Sequence, residues 1–232
     1  MANILDYIKW RGDLDFKQSE FNNVDNLIFS RFSYLPLDNL LDELNEVITI
    51  KDAYLKWMKL GIKEEKILQK EDKDLFPALA NSKRFGNLKI TRFVNKVDEK
   101  EEKQFSAITI FIPDGTVYVA YRGTDNTLVG WKEDFNISLD IDIPSQKEAV
   151  KYLENVYSAL NKKMRVGGHS KGGNLAMYAS IFCKEEIKKE ILEVYNNDGP
   201  GLSKEIVKGE KYKNALEKIK SFIPQTSIIG KL

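Results

Sequence analysis

Five consecutive residues, Gly168-His169-Ser170-Lys171-Gly172, set a serine between two glycines in the pattern G-x-S-x-G. This pattern turns a strand sharply into a helix and leaves the serine strained at the apex. Glycines are needed where strand and helix backbones pass too closely to admit a Cβ. An apical serine carries its Oγ above the sheet edge, and the neighbouring backbone N–H groups converge on one point. The chemistry this suits is nucleophilic attack on an acyl carbon with an oxyanion site alongside. Five residues recur by chance, so the flanking elements decide what the pattern means.

Those elements support a strand–turn–helix. Met164-Arg165-Val166-Gly167 reads as a short buried strand, and residues 171–183 as the helix behind it. Residues 191–196 are the next strand, 203–219 a helix, and Ser221-Phe222-Ile223 a last strand. Upstream, residues 89–97, 105–112 and 116–121 alternate as strands. Pro113-Asp114-Gly115 forms a turn, and the short connections make the three strands an antiparallel meander. A short helix is expected over 131–135. Another is expected to be capped by Ser145, with Ala149, Leu153, Val156, Tyr157 and Leu160 on one face. Residues 1–86 read as a helical region, a cap or packing layer with little β character. Ile50, Ala53, Tyr54 and Trp57 fall on one helical face stopped by Gly61, and 37–47 is expected to be a further short helix. The charged stretch 63–74 reads as solvated. An antiparallel start followed by alternating strands and helices predicts an α/β fold, with a mixed, mainly parallel sheet covered on both faces.

A second stretch, Tyr121-Arg122-Gly123-Thr124-Asp125 followed by Trp131-Lys132-Glu133-Asp134-Phe135, makes the pattern specific. Residues 87–232 resemble the class 3 lipase-like α/β-hydrolases, in which a Tyr-Arg-Gly-Thr turn precedes a Trp-x-x-Asp helix start. GHSKGGNLA together with NNDGPG is similar to a bacterial group of lipase-like hydrolases. The resemblance implies an α/β-hydrolase core over 87–232, with Ser170 as nucleophile and the backbone N–H groups of Thr124 and Lys171 as oxyanion donors. Arg122 and Asp134 read as a buried structural pair that fixes the oxyanion loop. The triad acid should follow the serine at the end of a later strand. Asp198, in Asn196-Asn197-Asp198-Gly199-Pro200-Gly201, is the candidate; the other reading is an Asx-turn residue shaping that loop. Class 3 lipases more often take the acid one strand later, where this chain has Pro224-Gln225-Thr226-Ser227 and no carboxylate.

An activated serine needs a base, most often His. The single histidine, His169, directly precedes the nucleophile, where an elbow turns it away from Oγ. Three explanations compete: a core truncated at its C-terminus, with a further strand and a His-bearing loop beyond Leu232; a non-catalytic binding or regulatory relative; or another base. For that last role Lys171 is a poor candidate, being expected to point into solvent. Truncation is the favoured explanation, and very low turnover is expected of these 232 residues.

Other chemistries fall away on residue types. No Lys-Ser or Lys-Thr follows the glycines, so a phosphate loop is not indicated. One His and one Cys cannot supply a zinc site, and Asp140-x-Asp142 lacks the further oxygen ligands of a calcium loop; no cofactor is expected. Cys183 reads as core. Lys and Arg number 36 against 35 acids, a net charge of +1, which gives no basic surface for nucleic acid. No run of about 18 apolar residues occurs, so no transmembrane segment is expected. A start bearing Asp6, Lys9, Arg11 and Asp13 is unlike a secretory leader, and with one cysteine it points to the cytoplasm. The expectation is a lipase- or esterase-like serine hydrolase acting on a small-molecule or lipid ester.

Overall fold

The computed structural model describes residues 3–41, 44–61, 70–125, 127–138 and 143–227. Seven strands form one sheet in sequence order: β1 (Val47–Thr49), β2 (Lys89–Asp98), β3 (Lys103–Phe111), β4 (Val117–Tyr121), β5 (Met164–His169), β6 (Ile191–Asn197) and β7 (Ile219–Phe222). Pairing is antiparallel from β1 to β4 and parallel from β4 to β7. The mixed sheet and the meander are as expected, with parallel pairing confined to the later strands. Short turns force β2–β4 to reverse direction, whereas the later strands are separated by helices long enough to cross back over the sheet.

Strand β4 shows why both faces must be covered. All five of its residues, Val117 to Tyr121, are fully buried, and alternate side chains enter different cores. Tyr118 and Ala120 pack with Ile108, Ile110 and Tyr195 against helices α2 (Asn23–Phe32), α3 (Ile50–Leu60) and α4 (Leu75–Asn81). Val117, Val119 and Tyr121 pack with Met164 and Val166 against α6 (Pro144–Leu160) and α7 (Lys171–Phe182). Helices α1 (Ile4–Arg11), α5 (Leu128–Ser138), α8 (Glu185–Glu190), α9 (Lys204–Lys208) and α10 (Glu210–Ala215) complete the described α-helices, and Lys70–Asp74 forms a 3₁₀ turn before α4.

Several local expectations change. Residues 38–41 and 44–45 make turns rather than helix, with Asn39 in left-handed backbone at φ 64°, and the chain then enters β1. Helix α6 begins at Pro144 with Ile143 as its cap, so Ser145 lies inside the first turn. Proline favours that first position because its missing N–H would have no partner there. The helix expected over 203–219 breaks at the extended Gly209 into α9 and α10, followed by a 3₁₀ turn at Leu216–Lys218. Residues 63–69 of the charged stretch, Asp140 and Asp142, and the segment after Ser227 lie outside the described residues. Among the described residues no helix is long and apolar enough to cross a membrane.

Helix α2 is anchored by a buried ion pair. Arg84 Nε donates to Asp25 Oδ1 at 2.8 Å, both side chains are fully buried, and the guanidinium also donates to the carbonyls of Leu14, Ser19 and Glu20. Asp25 is the third residue of α2 and closes its capping box with Asn22. Removing one partner of a buried pair strands the other charge. Asp25→Ala is therefore expected to lower unfolding free energy by about 3–5 kcal/mol in urea titrations followed by circular dichroism.

Candidate active site

Strand β5 ends at His169, α7 begins at Lys171, and Ser170 sits between them at φ 56°, ψ −132°. A non-glycine residue there is strained by roughly 1–3 kcal/mol and persists only where the surroundings enforce it. The enforcement is backbone crowding. A Cβ on Gly168 would lie 2.4 Å from the Gly172 carbonyl and 2.6 Å from Tyr121 O, and one on Gly172 only 2.2 Å from Tyr121 O. Strand β4, the elbow and α7 thus meet in backbone contact. Ser170 is half-buried; its N–H donates to Asn197 O at 3.0 Å, and its carbonyl accepts from Gly173 N–H at 2.8 Å.

The Tyr-Arg-Gly-Thr turn leaves β4 directly beside the elbow. A Cβ on Gly123 would lie 2.1 Å from Tyr34 Oη and 2.6 Å from His169 O. Tyr34 Oη donates to His169 O at 3.1 Å, lies 3.2 Å from His169 Nδ1, and packs against the Gly123 backbone. One buried hydroxyl from the end of α2 therefore ties the turn to the elbow.

The expected Arg122–Asp134 pair does not form. Arg122 Nη2 donates to Asn95 Oδ1 at 2.9 Å and to Asp125 at 3.3 Å, while Asp134 Oδ1 accepts from Thr124 Oγ1 at 2.6 Å. The turn aims Arg122 back across the sheet toward β2 and leaves Thr124 to meet α5. Burial raises the Asp134 carboxyl above its ordinary value and lowers Arg122 below its own.

The expectation for the Lys171 side chain is also overturned. It is fully buried, with Nζ 2.6 Å from Glu133 Oε2, because the first turn of α7 runs under α5 rather than along the surface. Burial pushes the Lys171 ammonium down, and the Glu133 carboxylate opposes that shift. Glu133 adjoins Asp134 in sequence, but nothing in the local pattern distinguished it from a solvated helix charge.

Asp198 follows β6 in left-handed backbone at φ 54°; its N–H donates to Phe222 O at 2.8 Å, and its carboxylate accepts from Ser227 Oγ. Its loop touches the elbow, since a Cβ on Gly199 would lie 2.4 Å from Ser170 O. Two asparagines brace that loop: Gly199 N–H donates to Asn196 Oδ1 at 2.9 Å, and Asn174 Nδ2 donates to Gly201 O at 2.7 Å. Ser170, Thr124, Lys171 and Asp198 all stand at this one end of the sheet. His169 is occupied by Tyr34, and burial and then Arg31 lower its pKa, with Asp198 opposing them. Cys183 is buried at the far end of α7, and burial pushes its thiol up to about 12, which leaves it uncharged.

A family model described as Mbeg1-like matches residues 79–232. Among solved structures, a fungal lipase determined as an inhibitor complex, the basis of a model for interfacial activation in lipases, aligns with a TM-score of 0.50 at 12% identity. That alignment covers 90% of this chain and 73% of the lipase chain. M37 lipase aligns with a TM-score of 0.48 at 15% identity, over 84% of this chain and 65% of its own. No curated protein matches the chain. The likeness to the fungal enzyme establishes a lipase-like α/β-hydrolase fold.

Two outcomes follow from this geometry. Gly172→Ala forces a Cβ against Tyr121 O and is expected to cost about 3 kcal/mol of stability, read from the denaturation midpoint. The sole imidazole should titrate below 6.5 by NMR, and Asp198→Asn, which removes a nearby anion, should move its midpoint lower still. Because the unfolded chain binds that proton first, stability should fall as pH drops from 6.5 toward the folded value. An unshifted midpoint in Asp198→Asn would separate Asp198 from the elbow.

Proposed function

Because this chain belongs to the Mbeg1-like family and has a lipase-like α/β-hydrolase fold, we propose that it is a serine hydrolase of carboxylic or acyl esters. The observation that carries the reading is Ser170 held at φ 56° where β4, β5 and α7 leave no room for side chains. That strain has no packing purpose, since a glycine would relieve it; a serine at the apex serves to present Oγ.

In this reading Ser170 Oγ attacks the ester carbonyl. The carbonyl oxygen gains negative charge and is met by the Lys171 N–H, at the start of α7, and the Thr124 N–H. Two donors fixed before reaction lower the barrier without reorganising, and loss of one typically costs on the order of 10²–10³ in rate. Thr124 is held by the hydrogen bond from its hydroxyl to Asp134. Asp198 is the acid that orients a histidine base. That histidine is not His169, whose ring faces Tyr34, and the sequence of 232 residues holds no other. We place residues 87–232 as the hydrolase core and residues 1–86 as a layer packed on it.

An apolar acyl ester suits the surroundings of the site. Leu128, Trp131 and Phe135 on α5 are 90%, 66% and 62% exposed and share one helical face beside the Thr124 turn. The buried cysteine suits a reducing compartment.

A fluorophosphonate probe should label the protein at Ser170 and leave Ser170→Ala unlabelled. Short-chain p-nitrophenyl ester hydrolysis should be slow and should rise with added imidazole, which restores part of the roughly 10²–10⁴-fold contribution of a general base. Absence of both labelling and imidazole rescue would favour a non-catalytic binding protein on the same scaffold.

A further inference from the structure

Lys171 and Glu133 make the most deeply buried ion pair near the elbow, at 0% and 1% side-chain exposure. The ammonium spends all three donors: on Glu133 Oε2 at 2.6 Å, Gln104 Oε1 at 2.6 Å and Gln104 O at 2.9 Å. Glu133 is filled in turn, with Oε1 accepting from Ser145 N–H at 3.1 Å and Oε2 from Gln104 N–H at 3.2 Å. The pair therefore joins the first residues of α7, the middle of α5, the start of β3 and the first turn of α6.

What makes this more than a structural pair is the identity of the neighbours. Lys171 is the residue after the nucleophile, so its own backbone N–H is one proposed oxyanion donor. Asp134, next to Glu133 on α5, holds Thr124, whose N–H is the other. Each donor residue is thus tied through its side chain to one of two consecutive residues on a single helical turn. The spacing between the donors is set by α5.

We propose that the Lys171–Glu133 pair is a positioning device for the oxyanion site. This rests on the reading of Ser170 as nucleophile. Charge-assisted hydrogen bonds are short and directional, so the pair holds α7 and α5 at one distance and one rotation. Apolar side chains of similar volume would fill the space but could slide, and oxyanion stabilisation tolerates little displacement of a donor. Replacing a buried ion pair with apolar residues is often neutral or stabilising overall. Stability and positioning can therefore be separated by experiment.

The test compares the wild-type chain with Lys171→Met/Glu133→Leu, which leaves no charge unpaired. Thermal unfolding reports the fold, and the concentration dependence of fluorophosphonate labelling separates probe binding from the bond-forming step at Ser170. The double variant leaves the Ser145 N–H and Gln104 without these partners, so its unfolding midpoint is expected to fall. At a temperature where it is fully folded it should keep its probe affinity, while the bond-forming rate falls by at least about tenfold, against roughly 10²–10³ for deleting a donor outright. Glu133→Gln keeps the volume and one acceptor but leaves the buried Lys171 charge without its counter-ion, so its rate should lie between those of the double variant and the wild type. A folded double variant that labels at the wild-type rate would overturn the positioning role and leave Ser170 as nucleophile. If the double variant fails to fold, Glu133→Gln decides alone, and a wild-type rate in that variant overturns the role. A wild-type chain that never labels overturns the nucleophile reading, and the positioning role falls with it.

Discussion

Everything at this site depends on one close approach, where the carbonyl of Tyr121 at the end of β4 meets Gly168 and Gly172 across the elbow. Those contacts lie closer than any Cβ could enter, and the atoms involved are backbone rather than the movable ends of side chains. The consequence reaches outward. Parallel pairing of β4 with β5 sets Tyr121 opposite Gly168, so the register of two central strands decides whether the elbow can close. Once it closes, the Arg-Gly-Thr turn must leave β4 immediately beside the serine, and α7 must start beneath α5.

A strained residue needs support from below, and the face covered by α2 supplies it. Asn26 Nδ2 donates to Asn197 Oδ1 at 2.8 Å. Asn197 Nδ2 donates to Ser30 Oγ at 2.9 Å and Gly168 O at 3.1 Å, and Tyr118 Oη donates to Asn26 Oδ1 at 2.6 Å. All of these side chains are buried. Hydrogen bonds of this kind add modestly to stability, but leaving a buried member unpaired is costly, so the network admits one placement of α2 against β5 and β6. Tyr34, at the end of the same helix, then arrives at His169 and Gly123. The N-terminal helices therefore do more than cover apolar surface; they fix the two backbone segments between which a reaction would occur.

What the sequence made legible, and what it hid, divides by distance along the chain. The meander β2–β4 could be read because alternation and the Pro113-Asp114-Gly115 turn are local, and the elbow because its glycines stand within five residues of one another. Strand β1 is only three residues, too short to show a period, and so 1–86 read as wholly helical. The break in the expected 203–219 helix falls at a glycine inside an otherwise helical pattern, Gly209. Contacts that assemble the site were not legible at all. Lys171 finds Glu133 38 positions away, and Tyr34 finds His169 135 positions away. A lysine beside the apex of an elbow reads as solvent-facing unless its distant carboxylate is known. The expected Arg122–Asp134 pair failed because the turn aims Arg122 at Asn95 and Asp125 while Asp134 takes the Thr124 hydroxyl. Such outcomes follow from tertiary packing, which no local pattern encodes.

Stabilising developing charge and moving a proton are separate physical tasks, and in the proposed reading they fall to different parts of the molecule. Charge stabilisation requires only that backbone donors be held still, and the elements that would do so, from α5 through the elbow to α7, lie within the described chain. Proton transfer requires a base, most often an imidazole, within hydrogen-bond reach of Ser170 Oγ. The one imidazole present is turned to Tyr34, where neutrality suits it because burial opposes its charge. If His169 were instead the base, it would have to gain a proton where burial and Arg31 oppose one. Its position is better understood as part of the clamp that Tyr34 forms between the elbow and the Gly123 turn. The two tasks can therefore fail independently: a chain lacking a base can retain an oxyanion site in working order, and such a site lowers the barrier for whichever base reaches Ser170.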